Sequence, residues 1–227
     1  MVLCALSSDL AWQETLMLPW TLFERSRLRK AAARYAAQGW PVRPGAFLAT
    51  RQTGRHATER RFDCGTPGCP TVACHPAPLP VCFDAETAAA LWQEHPYSVL
   101  LPTGYAFDVL EVPGALGRAA LLGDGFVAAR GPVAVAPGDR WMFLVLPGHG
   151  VLPELAAHAG VVLHGQNSWV PAPPSRQFGG RVHWELPPEV HNWRPAEPYA
   201  IQALMLDAIG AGPLATAGRR TTWRAAA

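Results

Sequence analysis

The segment Val161–Trp184 constrains the fold of this chain most strongly, because it combines strand-forming residues with a Pro-Pro pair. It reads VVLHGQNSWVPAPPSRQFGGRVHW. The pattern predicts a short strand, a tight Gly/Asn turn, a second strand, a Pro-Pro-Ser corner and a third strand that ends in Trp. Proline donates no hydrogen bond to a β-ladder, so composition alone does not predict a Pro-Pro pair that closes a buried strand.

The rest of the chain predicts alternating helices and strands within a single domain over residues 1–211, followed by a tail at 212–227. Thr21 caps a helix over Leu22–Gln38, which Gly39 ends, and Asp84 caps a second helix that runs to Glu94. Neither an internal repeat nor a linker divides the chain. The other predicted strands are Tyr97–Leu101, Ala106–Val112, Val133–Ala136 and Trp141–Leu146, and the other predicted helices are Gly114–Leu122, Pro153–His158 and Pro198–Ile209.

Charge is distributed unevenly along the chain. Hydrophobic residues make up 49% and charged residues 16%, which excludes a largely disordered chain. The net charge is only +2, yet residues 24–61 contain ten Lys or Arg and two Glu, a local excess of +8. This basic region predicts a surface for phosphates or another polyanion. A solvated helix face is the plainer alternative.

The first twenty residues do not resemble a secretion signal. They lack a basic start, and Asp9 interrupts their apolar run. Apolar stretches stay short of the 18 residues that a membrane span needs. We therefore expect no membrane association, a cytoplasmic location and reduced cysteines.

A Cys/His-rich insertion is predicted over residues 56–82, in a stretch without clear periodicity. Thiolate and imidazole groups at short spacing, separated by Gly and Pro turns, are typical of a structural zinc site. The alternatives are reduced cysteines in a surface loop and a Cys64–Cys69 redox pair. The candidate ligands are Cys64, Cys69, Cys74, His75 and Cys82.

Two motifs resemble the bifunctional primase–polymerase (prim-pol) domain of the archaeo-eukaryotic primase superfamily. These are Ala172-Pro173-Pro174-Ser175 and the run Gln38-Gly39-Trp40-Pro41-Val42 after the first predicted helix. The resemblance implies an α/β fold of α+β type, a primase-like curved mixed or antiparallel sheet with flanking helices and a Cys-rich insertion. Related bacterial members carry such an insertion, which makes Cys64, Cys69 and His75 the best-matched ligands, with Cys74, Cys82 or His56 completing the set.

The resemblance also indicates where metal-binding acids belong. Active members hold two divalent ions with an acid-x-acid pair at the end of the strand written here as Phe107–Val112, since residues i and i+2 share a face. The matching positions are Glu111 and Pro113, and the place of a third acid is Val162. Asp108 is nearby, but at i and i+3 it points away from Glu111 unless the strand has a bulge.

Phosphate-contacting positions are filled by other residue types. On the best register, Arg140 stands where the family has a His, and His164 stands where it has an Arg. Ser175 matches a corner Ser near the nucleotide, and Arg176 extends from the same rim. A structural Arg140 paired with a nearby acid, and a Ser175 that merely caps its turn, are the alternatives.

Three hypotheses follow from these residues. The first is a catalytically degenerate prim-pol-like protein that binds single-stranded DNA, nucleotide or a partner protein. The second is an active Mg²⁺- or Mn²⁺-dependent DNA primase/polymerase that uses Glu111 with an unrecognised acid. The third is a protein–protein interaction module whose former cleft is packed shut.

Overall fold

The structure is a computed structural model that describes residues 19–52, 58–123 and 130–212. Its strands form antiparallel sheets. The larger sheet has five strands in the order β12-β6-β7-β5-β8, and all its pairs are antiparallel. Strand β5 therefore lies inside the sheet, between β7 and the edge strand β8. The five strands are β5 (Asp108–Pro113), β6 (Val133–Ala136), β7 (Arg140–Val145), β8 (Val162–His164) and β12 (His183–Leu186).

A second sheet of three strands lies beside the first, with two short ribbons attached. Its order is β1-β4-β9, and it too is antiparallel. The ribbons pair β2 with β3 and β10 with β11. These strands are β1 (Arg43–Gly45), β2 (Phe47–Gln52), β3 (Thr58–Asp63), β4 (Ser98–Pro102), β9 (Trp169–Pro171), β10 (Arg176–Gln177) and β11 (Gly180–Arg181).

In the described ranges five α-helices flank the sheets, which confirms the predicted α/β class with antiparallel sheets and a Cys-rich segment. Asp84 caps α2 as predicted, because its Oδ1 accepts a hydrogen bond from the Thr87 amide at 2.8 Å. Thr21 is not a cap, since α1 already begins at Pro19, a residue suited to a first helical turn. The helices are α1 (Pro19–Ala37), α2 (Ala85–Glu94), α3 (Gly114–Leu122), α4 (Pro153–Ala156) and α5 (Pro198–Gly210), and Pro188–His191 forms a 3-10 helix.

The five-stranded sheet separates two hydrophobic cores. Successive side chains of a strand point to opposite faces. Val109 accordingly joins the core that contains α1, α2 and the second sheet, whereas Leu110 and Val112 join the core beneath α3 and α5. Trp92 of α2 is fully buried in the first core. Burial of both sheet faces is what holds β5, and the residues it presents, in place.

The Pro-Pro-Ser corner is bound to α1. The Tyr35 hydroxyl donates a hydrogen bond to the Pro173 carbonyl at 2.7 Å and accepts one from Trp184 Nε1 at 3.1 Å. Burial raises the pKa of this Tyr35 hydroxyl, so it remains a donor across the accessible pH range. The side chain of Trp40 packs against both Tyr35 and Phe107. The Pro-Pro corner and Trp184 are thus both fastened to α1.

Two predicted regions differ from the structure. The stretch predicted without periodicity contains β3, whose first four residues are exposed and therefore lack an apolar alternation. The third strand of the Val161–Trp184 segment is interrupted by the β10–β11 hairpin, and β12 continues past Trp184 to Leu186. The predicted tail lies outside the described residues from 213 onward. Within the described chain, helices that combine the length and apolarity of a membrane span are absent.

Candidate functional site

The strand register places three of the predicted site residues on one sheet face. Glu111 of β5 pairs directly with Val162 of β8, and Arg140 of β7 pairs with Pro113 of β5. His164 stands two residues beyond Val162 and therefore shares its face. Directly paired residues on neighbouring strands project to the same side. Glu111, Arg140 and His164 consequently converge, although they are far apart in the chain.

Both carboxylate oxygens of Glu111 are engaged. Arg140 Nε donates to Oε1 at 2.6 Å, and His164 Nε2 lies 2.8 Å from Oε2. The outer atoms of each partner are also held, since an Arg140 terminal nitrogen donates to the Gly160 carbonyl and His164 Nδ1 lies 3.1 Å from Ser168 Oγ. Because these side chains are only about a quarter exposed, the pairing is shielded from solvent. We call Glu111, Arg140 and His164 the acid–base cluster.

Ser168 was not predicted as part of this site. In the sequence, the only indication is that Ser168 follows His164 by four residues. In the structure, a turn in which Asn167 has a positive φ of 61° lies between them. Such a turn brings a hydroxyl back toward the preceding strand. The sequence alone gives no indication of which face His164 occupies, so Ser168 becomes meaningful only once the register is known.

The pKa of Glu111 is held below its ordinary value of 4.5. The hydrogen bond from His164 is the main cause, burial opposes it, and Arg140 adds to the lowering. A carboxyl with a lowered pKa in the folded state contributes stability that is present above its unfolded pKa. That contribution is lost as the pH falls through the folded value.

We therefore expect Glu111→Gln to flatten the acid side of the stability profile. Wild-type protein should lose unfolding free energy as the pH falls below about 4.5, and the variant should lose less over the same window. Urea unfolding, followed by circular dichroism from about pH 3 to about pH 7, measures the two profiles. Glu86→Gln, at an exposed position on α2, controls for the loss of a carboxylate. If wild type and Glu111→Gln lost unfolding free energy equally as the pH falls, the lowered pKa of Glu111 would be contradicted.

Asp108 lies on the opposite face of β5 from Glu111. The ladder with β7 runs without a bulge from Asp108 to Pro113, so positions three apart point to different sides. Asp108 is buried, and its Oδ2 accepts a hydrogen bond from the Gly148 amide at 2.8 Å. The register contains no bulge that would turn Asp108 toward Glu111. Pro113 and Val162 occupy the positions that flank Glu111.

The corner serine has a structural role. Ser175 is completely buried, and its hydroxyl accepts from the Val99 amide at 2.8 Å and donates to the Val99 carbonyl at 3.1 Å. The hydroxyl thus both donates and accepts a hydrogen bond that attaches the corner to β4. Arg176 is exposed on β10, and its Nε lies 4.0 Å from a carboxylate oxygen of Glu24. Arg176 is thus placed beside α1 and outside the acid–base cluster.

Three of the five predicted metal ligands come together in the Cys-rich segment. The ligand atoms of Cys64, Cys69 and His75 all lie within 4.8 Å of one another, and Cys69 Sγ is 3.5 Å from His75 Nε2. Cys74 and Cys82 lie outside this group. The Cys74 thiol donates to the Ala46 carbonyl at 3.7 Å, and Cys82 is buried. His56, the other candidate, falls outside the described residues.

The electrostatics of the three-residue group suit a metal. A hydrogen bond with Thr66 is the main factor that lowers the pKa of the Cys64 thiol to about 7, burial opposes it, and contacts with His75 and Cys69 assist. The thiolate is the form of cysteine that binds metals. His75 Nδ1 lies 2.8 Å from the Ala73 carbonyl, an arrangement that leaves Nε2 facing the thiols. Burial instead raises the pKa values of Cys74 and Cys82. The Cys64, Cys69 and His75 group can therefore hold a metal ion.

Comparison with known proteins shows a match to one protein family. A family model described as bifunctional DNA primase/polymerase, N-terminal, matches residues 32–200. The match begins within α1, includes the Cys-rich segment and the acid–base cluster, and ends within α5. Searches of curated proteins and of solved structures gave no match.

Proposed function

This chain belongs to the bifunctional DNA primase/polymerase family, and from that membership we propose that it binds nucleotide or nucleic acid without performing two-metal nucleotide transfer. The observation that carries the proposal is the engagement of Glu111. Both oxygens of this carboxylate are bonded to nitrogen donors of Arg140 and His164. The position of the first metal-binding acid is thus part of an internally neutralised cluster.

The residues around Glu111 do not fit Mg²⁺ or Mn²⁺. These hard cations prefer several oxygen ligands. Glu111 is flanked on its face by Pro113 and by Val162, neither of which offers a side-chain oxygen. Among the residues that the structure describes, groups of three or more potential metal ligands occur only at the Cys-rich segment. We derive no catalytic step through a divalent ion at this site.

The acid–base cluster is instead suited to a phosphate. Arg140 presents a planar fork of donors, the geometry that recognises phosphate oxygens in pairs. Glu111 competes with an incoming phosphate for Arg140 and His164, and repels it. A nucleotide would therefore bind by displacing the carboxylate from its partners. Removal of the carboxylate should strengthen the binding, which is the reverse of what a metal-dependent polymerase site requires.

The two alternative functions receive less support. An active polymerase would need a second acid beside Glu111, and the register places Asp108 on the other face. A protein-interaction module with a packed cleft would need large hydrophobic side chains there. Val162 remains 44% exposed, and the neighbouring side chains form ion pairs. Both alternatives are decided by the experiment below.

The test is template-directed incorporation with Mg²⁺ or Mn²⁺, combined with nucleotide binding in buffer to which neither Mg²⁺ nor Mn²⁺ is added. We expect no extension of a primer by wild type or by Glu111→Ala, with a known polymerase as the positive control. Without metal, Glu111→Ala should bind a nucleoside triphosphate more tightly than wild type. Arg140→Ala should bind it about tenfold more weakly, the effect of losing a charged hydrogen bond.

Three outcomes would count against the proposal. Incorporation by wild type that Glu111→Ala abolishes would establish an active polymerase. Triphosphate binding that requires Mg²⁺ and fails in Glu111→Ala would indicate a working metal site. Folded protein that binds neither triphosphate nor single-stranded DNA would favour the protein-interaction module.

We also propose that Cys64, Cys69 and His75 provide three of the four ligands of a structural zinc ion. Tetrahedral zinc with bonds of about 2.3 Å to sulfur separates its ligand atoms by less than about 4 Å, so the observed group needs only small adjustments. The ligands lie on the loop that follows β3, where Gly65 and Gly68 adopt positive φ values of 82° and 71°. Zinc would tie this loop together and take no part in the chemistry of the acid–base cluster.

A further inference from the structure

A basic groove lies between α1 and the Pro-Pro corner, apart from the acid–base cluster. Arg27, Lys30 and Arg34 line one side of it, and they occupy positions i, i+3 and i+7 of the helix. Residues at this spacing share one helical flank. The groove has a volume of about 340 Å³. Three cationic side chains thus lie in a row along one side of this open groove.

The floor of the groove is largely apolar and contains two aromatic rings, which meet edge to face. Tyr35, Pro173, Pro174 and Trp184 form it. Trp184 is half-buried, with its indole nitrogen fixed by the Tyr35 hydroxyl at 3.1 Å. An aromatic ring held in this way offers a rigid surface on which a nucleobase can stack. The combination of cations at the rim and planar groups at the floor matches a base that is linked to a phosphate.

The charge of the groove is only partly compensated. Arg34 pairs with Glu189 at 2.7 Å and lies over the Trp193 ring. For Arg27 and Lys30 the described part of the chain provides no ion-pair partner. The one acid of α1, Glu24, is already engaged by Arg181. The surface therefore favours an anionic ligand.

We propose that this α1 groove binds single-stranded nucleic acid, an inference that rests on the nucleic-acid binding proposed above. The row from Arg27 to Arg34 is about 10 Å long at 1.5 Å per residue, which accommodates two to three phosphates. A duplex would hide the base faces from Trp184, whereas a single strand exposes them. The ligand class is thus inferred from the row of cations beside the Trp184 ring.

The sheet connects this groove with the acid–base cluster. Trp184, Ala134, Met142 and Glu111 are successive cross-strand neighbours on one face of β12, β6, β7 and β5. Three strand spacings separate Trp184 from Glu111, about 14 Å. The groove is therefore a second site that can hold a strand while the cluster holds a nucleotide phosphate.

The test compares two matched double variants of α1. Arg27→Ala/Lys30→Ala removes two charges from the groove, and Arg25→Ala/Arg29→Ala removes two charges from the other flank of the same helix. The probe is a fluorescent oligothymidylate of about 15 nucleotides. We expect the groove variant to bind it about tenfold more weakly at 0.1 M salt, with a salt slope smaller by about 1.4. The control should retain most of the affinity.

A second probe examines the floor without altering the protein. An abasic strand of the same length should bind wild type at least about fivefold more weakly than oligothymidylate, because it cannot stack. Equal losses in the two double variants, equal binding of the abasic strand, or equal binding of poly-aspartate would each overturn the groove assignment. If wild type binds DNA in those cases, the proposed function stands. If wild type binds neither DNA nor triphosphate, the proposed function fails as well.

Discussion

Replacement of Cys64 by serine is expected to release a bound zinc ion and to lower the stability of the domain. Cys64, Cys69 and His75 are the described residues whose donor atoms converge within 4.8 Å. Loss of one thiolate opens the coordination sphere, and a structural zinc contributes directly to folding. Because much of the domain folds around other cores, we expect a loss of about 3 kcal/mol, or a melting temperature lower by roughly 10 °C. Elemental analysis should fall from about one zinc per chain to none.

Cys74→Ser is the matched control for this experiment. Cys74 lies in the same segment, but its thiol donates to the Ala46 carbonyl, a bond that a serine hydroxyl can also make. This variant should retain zinc and lose no more than about 1 kcal/mol. Retention of zinc by Cys64→Ser, or its equal loss from Cys74→Ser, would show that the ligands are not those proposed. Wild type that takes up no zinc would remove the proposal entirely.

Gly104→Ala should destabilise the domain by about 3 kcal/mol. Gly104 has a φ of +86°, and a Cβ added there would lie 2.6 Å from the backbone Cα of Gln166. The substitution thus combines a left-handed residue with a collision against main chain that cannot rotate away. Thr103 and Gly104 form the turn between β4 and β5, and Thr103 donates to the Gly165 carbonyl. The collision should therefore also displace the loop that carries Ser168.

Gly148→Ala separates the two causes. Gly148 has a nearly identical φ of +87°, yet a Cβ there would meet nothing within 4 Å. The control should lose only the backbone contribution, about 1 kcal/mol. Urea denaturation of both variants gives the difference. In addition, Gly104→Ala should bind triphosphate more weakly, since His164 loses its Ser168 neighbour. Equal stability of the two variants would mean that Gln166 can move aside.

Elements with strong local signals were predictable from the sequence. The helices Ala85–Glu94 and Gly114–Leu122 and the strand Val133–Ala136 have the predicted bounds to within a residue. Their ends are determined by a capping aspartate, by glycine and by the boundaries of apolar runs. Strand β3 was missed because its exposed face is charged and its pairing with β2 provides the order that its composition does not. Edge ribbons of this kind depend on a partner strand.

The sequence predicted which residues belong to the candidate site, but it did not predict the contacts among them. The resemblance placed Glu111, Arg140 and His164 at matching positions, and the i, i+3 argument placed Asp108 on the other face. The mutual pairing of those three residues depends on the register among β5, β7 and β8, which involves residues more than fifty positions apart. For Cys74 and Ser175, residue type suggested a functional role, and the structure adds that both side chains hydrogen-bond to backbone groups.

The contact between Tyr35 and Pro173 has a consequence for how the chain acquires its structure. The two residues are 138 positions apart, and β4 similarly waits for β9 to complete its sheet. Such a high contact order predicts slow folding, because long loops must close before their contacts contribute. During synthesis, α1 can pack against α2, but its contact with the Pro-Pro corner must wait until the segment that contains Pro173 has been made. The groove that we propose as a nucleic-acid site is therefore incomplete in nascent chains that still lack this corner.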